Sequence, residues 1–295
     1  MAGDVFYIVD VFAEEKYAGN QLAVIRPGEK MPDDKMQRLA KEMNYSETTF
    51  ILSEKQENGG YPVRIFTPAA EIPFAGHPTL GTAYIIQREI IKQPVEKVIL
   101  NLKVGQIPVT FSYRDGVPDE MWMKQLEPTF ITTIDREKIS RVLNVDVDDV
   151  DVRFPVQEVS TGTPFIIAPL NTLAAVRKAV LNRKLYFELI ENIDSKAILF
   201  FAPETIDKEN QLHARLFADF YGVPEDPATG SANGCLAGYL VKHRYFRKDN
   251  IDIRVEQGYQ INRPSLLYLK ADETNGIINV LVGGKVVMVA RGELV

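Results

Sequence analysis

The stretch EIPFAGHPTLGTAYII, residues 71–86, closes a run of short strands and opens an apolar helix on a Gly-His-Pro step. The chain has only three histidines, so one set between a glycine and a proline at a helix start needs a reason. A second stretch, EDPATGSANGCLAGYL at 225–240, follows the same plan: acidic residue, proline, glycine, polar residue, then an apolar helix rich in small residues. Laid ungapped, residues 71–77 fall on 225–231, which sets His77 opposite Ser231.

The elements leading up to the two stretches repeat as well. GNQLAVI (19–25), a helix, TTFILSE (48–54) and VRIFTP (63–68) precede the first; GTPFIIA (162–168), a helix, AILFFAP (197–203) and ARLFAD (214–219) precede the second. One such match arises by chance in any mixed chain, but four in one order favour internal duplication. The strand segments are rich in β-branched and aromatic residues. Strands are expected at 5–13, 21–27, 48–54, 61–68, 97–113, 120–126, 166–170, 197–203 and 213–219, then through IDIRVEQG, PSLLYLKA and NGIINVLVGGKVVMVARGEL. Helices are expected at 33–43, 78–91 (with Pro78 first, where a helix tolerates it best), 135–143, 171–193 and 231–243.

Composition bounds the function. At 295 residues with 45% hydrophobic and 25% charged residues, the chain reads as a soluble globular protein of one large or two ordinary domains. A net charge of −6 gives no basis for a nucleic-acid or anionic-membrane partner. The N-terminal MAGDVFYIVDVFAEE lacks a basic start and a long apolar core, against a signal peptide, and no apolar run approaches membrane-spanning length. Cys235 is the only cysteine, so an internal disulfide is excluded and a reducing cytoplasm fits. One cysteine with His77, His213 and His243 scattered along the chain makes no local metal-ligand cluster.

Each helix start is chemically suited to an anion. Glycine permits close backbone approach, and the free N–H groups and dipole of a helix N-terminus favour negative charge. The small residues that follow (Gly81, Thr82, Ala83; Gly234, Ala237, Gly238) predict helices enclosed on all sides. Ser231 is more ordinarily an N-cap than a catalyst. A capping histidine is uncommon, and imidazole is suited to proton handling near neutrality, so His77 carries more weight. Glu47, flanked by Ser46, Thr48 and Thr49 at the start of a half-buried strand, is expected to be partly desolvated and suited to pass a proton both ways. The plainer alternative is a solvated strand-end glutamate. Its counterpart in the second half is near Ala197, so the duplicated frame keeps a carboxylate on one side only. Asp226 is either a turn residue before Pro227 or a group that orders His77 or a substrate amine. Arg64 and Arg215 occupy parallel places and read as structural.

At DVFAEEKYAGNQLAV, YSETTF (45–50), FTPAAEIPFAGHPTLGTA, GVPEDPATGSANGCLAGYL and EQGYQINRPSLL, the chain resembles the PhzF family of phenazine-biosynthesis isomerases over essentially its whole length. The resemblance implies an α+β, diaminopimelate epimerase-like fold: two pseudo-symmetric halves, each a curled sheet around a central helix, with the active site between them. The halves are expected at 1–118 plus 276–295 and at 119–275. The family's general acid/base falls on Glu47, its histidine on His77 and its aspartate on Asp226; Gly76, Gly230 and Ser231 fall on its substrate-binding positions. The best-characterised reaction of the family isomerises a dihydro-hydroxyanthranilate by moving a proton on one face of the ring, without cofactor. The resemblance thus implies a cofactor-independent isomerase of a small carboxylate-bearing substrate, acting as a homodimer, and the cysteine and histidine usage above adds the expectation that it is metal-free and cytoplasmic. Two rivals stand beside it: an amino-acid-type racemase or epimerase, and a non-catalytic small-molecule binding protein. Related epimerases carry a cysteine at each helix start, but here His77 and Ser231 stand there, which rules out a two-thiol mechanism.

Overall fold

The computed structural model describes residues 3–295; the first two residues of the N-terminal stretch read above lie outside them. The chain separates into two compact units, one running to Met123 and completed by Gly283–Val295, the other Lys124–Val282. Along the first unit come β1 (Asp4–Val11), β2 (Asn20–Arg26), α1 (Asp33–Met43), β3 (Thr48–Ile51), β4 (Tyr61–Phe66), a short β5 (Glu71–Ile72), α2 (Gly76–Ile85), β6 (Lys97–Leu102), β7 (Gly105–Arg114) and β8 (Val117–Lys124). The second contains β9 (Thr129–Ile134), α3 (Arg136–Leu143), β10 (Val156–Ser160), β11 (Pro164–Pro169), α4 (Leu173–Lys178), α5 (Arg183–Ile190), β12 (Ile198–Ala202), β13 (Leu212–Phe217), α6 (Gly230–Lys242), β14 (Asn250–Gln257), β15 (Ser265–Thr274) and β16 (Ile277–Gly284). The last strand, β17 (Val286–Leu294), returns to the first unit and pairs antiparallel with β1.

The duplication is written in the pairing. Across β1, β2, β3, β4, β6 and β7 the pairs run antiparallel, parallel, antiparallel, parallel, antiparallel. Across β10, β11, β12, β13, β14 and β15 the order is the same. An outer strand lies antiparallel beside each set, β17 on β1 and β9 on β10. Each set also receives a helix after its second strand of the parallel pair's partner, α1 in one and α4 with α5 in the other, and a central helix after its fourth strand, α2 or α6. Register fixes the correspondence residue by residue: Ala23 opposes Thr48 as Ile166 opposes Ile198. Glu47 therefore holds the place of Ala197.

Neither central helix is amphipathic, because neither has a wet side. All ten residues of α2 are buried, and eleven of the thirteen in α6, Ser231 and Lys242 excepted. A helix apolar all round has to be surrounded. Strands β1, β2, β3, β6, β7 and β17 contact α2, and β10, β11, β14 and β15 contact α6, so in each unit the sheet curls about its helix. Small residues set how closely it does so. A Cβ added at Gly81 would lie 2.6 Å from Leu22 Cδ2 and 2.9 Å from Val11 Cγ2, and one at Gly238 would lie 2.7 Å from the Pro128 ring.

A second apolar layer covers the outer faces. Met36 and Ala40 of α1 pack with Ile25, Phe50 and Phe66, while α3, α4 and α5 cover Ile166, Ile198, Phe200 and Phe217. With both faces covered, β12 is buried at every residue, which explains its unbroken apolar run.

Several elements differ from expectation. The region 171–193 is two helices, α4 and α5, because it contains two caps: Thr172 Oγ1 accepts from Ala175 N, and Asn182 Oδ1 from Leu185 N. α2 begins at Gly76 rather than Pro78, and residues 86–91 form a π-helical turn closed by Lys92 N–H on the Gln87 carbonyl. Expected strand 97–113 is a hairpin that reverses between Leu102 and Gly105. Strands β9 and β10 were not expected.

Candidate active site

In the first unit, β3 and α2 bring Glu47 and His77 together. Side chains alternate along a strand, so Glu47, two residues before Thr49, faces the same way as Thr49. Thr49 points at the central helix: its Oγ1 lies 2.7 Å from Thr82 Oγ1, both groups buried. Two steps along β3 and five along α2 each cover about 7 Å, so a carboxylate two residues before Thr49 meets the side chain five residues before Thr82. That side chain is His77. Its Nε2 lies 3.4 Å from Glu47 Oε2, with side-chain exposures of 7% and 17%.

The imidazole is buried and neutral. Burial pushes its pKa down to about 3, against which a hydrogen bond to the backbone of Gln21 acts weakly. Gln21 belongs to β2, one residue beyond Asn20, itself buried. The chain reaches β2 through Gly19 at φ +65°, where a Cβ would lie 2.3 Å from the Val11 carbonyl, so no other residue fits. Asp10 Oδ2 accepts from Tyr17 N at 2.7 Å and holds this loop. Helix α2 starts after Ala75 with no side-chain cap, leaving the N–H groups of Gly76 and His77 at its first turn; Pro78 has none to offer. His77 is thus the second helical residue rather than a cap.

In the second unit the corresponding start is Gly230 and Ser231, after Thr229, again with no side-chain cap. Ser231 is likewise inside the helix and half-buried. The loop before it is held by Gln257, which is fully buried. Its Nε2 donates to the Asp226 carbonyl at 2.9 Å and to Thr229 Oγ1 at 3.2 Å, and its Oε1 accepts from Asn233 Nδ2 at 2.9 Å. Thr229 Oγ1 donates in turn to the Asp226 carboxylate. Asp226 is therefore engaged in its own turn, and half-buried. Gln257 and Gln21 were missed from sequence. EQG at 256–258 was legible only as a strand end, and a main-chain neighbour leaves no mark on residue type.

Cys235 lies one turn along α6, fully buried, with Thr161 Oγ1 and the Thr163 carbonyl each 3.6 Å from its sulfur. Burial pushes the thiol up to about 12, so it is not a thiolate near neutrality. Among the described residues no group of three or more His, Cys, Asp or Glu side chains is placed to hold a metal, and no helix is long and apolar enough to cross a membrane.

A half-buried carboxyl in contact with a neutral imidazole, beside a helix start, can accept a proton from carbon and give it back. Comparison with known proteins places the chain in a family. The family profile described as "Phenazine biosynthesis-like protein" matches residues 9–292. An uncharacterized isomerase of Clostridium acetobutylicum is 32% identical, over 98% of this chain and 97% of its own. A trans-2,3-dihydro-3-hydroxyanthranilate isomerase of Pseudomonas fluorescens is 33% identical over 98% and 99%. A crystal structure of a PhzF-family phenazine biosynthesis protein from Bacillus anthracis superposes with TM-score 0.90 at 24% identity, covering all of both chains. The chain belongs to the PhzF-type isomerase family and has its diaminopimelate epimerase-like fold.

Proposed function

We propose that this isomerase moves a proton within a small carboxylate-bearing substrate of the dihydro-hydroxyanthranilate kind, without cofactor, with Glu47 as the general acid and base. The observation that carries this reading is the contact of Glu47 Oε2 with His77 Nε2 at 3.4 Å in a largely dry setting. Glu47 takes a proton from one ring carbon and returns it to another on the same face. His77 assists at Glu47, and Asp226 orders a polar substituent of the substrate. Gly76 lines the first helix start, and Gly230 and Ser231 present backbone N–H groups to a carboxylate. A homodimer, as the family resemblance implies, in the cytoplasm, as the single cysteine fits, completes the reading. The racemase alternative would use Glu47 with His77 or with Cys235, and the buried, protonated thiol speaks against the second pairing.

Deuterium wash-in from solvent tests the proposal. With a dihydroaromatic hydroxy-acid substrate in D2O, the parent protein incorporates deuterium, and Glu47→Gln, which cannot accept and return a proton, is slower by at least ~100-fold. Exchange by Glu47→Gln at the parental rate refutes the assignment.

A further inference from the structure

His213 grips the chain on both sides of Gln257, the residue that clamps the second helix start. It lies fully buried on β13, in register with Glu256 at the end of β14. Its Nδ1 is 2.7 Å from Glu256 Oε2, and its Nε2 meets the Gln260 amide, nitrogen at 3.0 Å and oxygen at 3.4 Å. Glu256 is also fully buried. Its carboxylate accepts in addition from Ile206 N at 2.9 Å, Asp207 N at 2.8 Å and Asn210 Nδ2 at 2.9 Å, which ties the strand end to the loop at 206–210.

Gln257 and Gly258 stand between the two gripped residues. Side chains alternate along a strand, so Gln257 turns away from His213 and reaches Asn233 of α6. Gly258, at φ +78°, lies so close to the helix-start loop that a Cβ there would be 2.6 Å from the Pro227 carbonyl. The first unit lacks this device. Pro62 and Asn101 oppose one another there as His213 and Glu256 do here, and Leu102 holds the place of Gln257. We infer that His213 and Glu256 are positioning residues for substrate binding: together they fix the main chain at 256–260 and, through Gln257, the shape of the loop at 226–231. This role in binding rests on the proposed function; the brace itself does not.

Glu256→Gln tests the brace, because an amide NH2 put among N–H donors cannot accept from them. Amide hydrogen exchange of the full chain should quicken at 206–210 and 256–260, and also at 226–231, with α2 at parental rates. In deuterium wash-in, KM should rise about tenfold, the affinity equivalent of one unpaired buried group, while the rate at saturation stays near the parental value. Should Glu256→Gln fail to fold, His213→Asn carries the test: its amide can still donate to Glu256, it releases only Gln260, and it should shift exchange and KM the same way by less. Quickened exchange that stops short of 226–231, or KM at the parental value, makes the brace merely structural and overturns the inference. A fall in the saturated rate with KM unchanged also overturns it. The exchange measurement needs no substrate, so parental wash-in by Glu47→Gln would sink the proposed function and leave the brace standing.

Discussion

Arg64 holds Glu71 through two parallel hydrogen bonds, Nε to Oε1 and Nη2 to Oε2, each 2.8 Å. The duplicated frame repeats the clasp in the other unit, where Arg215 holds Glu225 at 2.9 and 2.7 Å. Each guanidinium also lies over the ring of the phenylalanine two residues on, 5.0 Å from Phe66 and 4.9 Å from Phe217. The two glutamates open the loops that deliver His77 and Ser231 to their helices. Planar bidentate pairing fixes direction as well as distance, so the clasps aim those loops.

The first prediction is a pH-dependent stability. Hydrogen bonding to Arg64 pulls the Glu71 carboxyl down to about 2 from an ordinary 4.5. A lowered folded-state pKa stabilises the fold fully above the unfolded value and progressively less as pH falls through the folded one. Glu71→Gln should therefore cost roughly 1.5–3 kcal/mol at pH 7, the usual worth of hydrogen bonds to a charged group. The gap to the parent should narrow between pH 4.5 and 2. Urea unfolding across that range reads it; a constant gap shows that the charge is not what stabilises the loop.

Cys235 should be silent. A fully buried thiol raised to about 12 should resist alkylation in the folded chain and react once urea unfolds it. Cys235→Ser should keep most activity at a small cost in stability, since the hydroxyl inherits Thr161 and the Thr163 carbonyl as partners. An activity loss matching that of Glu47→Gln, in a folded protein, would restore the thiol to the mechanism.

Much of this was legible from residue types, and the rest was not for definite reasons. The two central helices showed because being enclosed demands apolar residues all round with glycine at the tight spots, a pattern with no amphipathic rival. The clasps were half legible: Arg64 and Arg215 stood out by their parallel places, but their partners became clear only when β5 folded back on β4. The break between α4 and α5 was hidden because the apolar spacing runs on across Ala179–Asn182, while the caps that interrupt it are two ordinary polar residues. Glu47 could be singled out by asymmetry, since Ala197 holds its place in the other half. What Glu47 meets could not be, because the meeting depends on the register of β3 against α2, set by the Thr49–Thr82 contact.

Close approach around α2 gives a third prediction. Glycine inside a helix ordinarily costs about 1 kcal/mol relative to alanine, so Gly→Ala is stabilising where space allows. At Gly81 it does not: the new methyl would meet Leu22 and Val11 inside 3 Å. Both neighbours lie in the curled sheet and have little room to retreat. Gly81→Ala should destabilise by about 1–3 kcal/mol, and denaturant unfolding should show it. A gain in stability would mean the sheet closes less tightly on the helix than its contacts indicate.

The last prediction concerns Gln257, the residue that holds the second helix start in shape. By strand register, Leu212 opposes Val255 as Tyr61 opposes Leu100, so Gln257 stands where the first unit has Leu102. Gln257→Leu therefore installs a residue of similar size that the same frame already accepts, and removes only the polar clamp. It takes the partner from the Asp226 carbonyl and from Thr229 N, while Asn233 keeps the Thr229 carbonyl at 3.1 Å. Leaving a buried polar group unpaired costs about 1–3 kcal/mol, so stability should fall by roughly that amount or somewhat more. Amide hydrogen exchange should quicken through residues 226–231 and stay at parental rates around α2. Because Glu47 and His77 belong to the other unit, the rate of deuterium wash-in at saturating substrate should hold near the parental value while KM rises. A fall in the saturated rate with KM unchanged would assign Gln257 to proton transfer itself and not to the shape of the helix start.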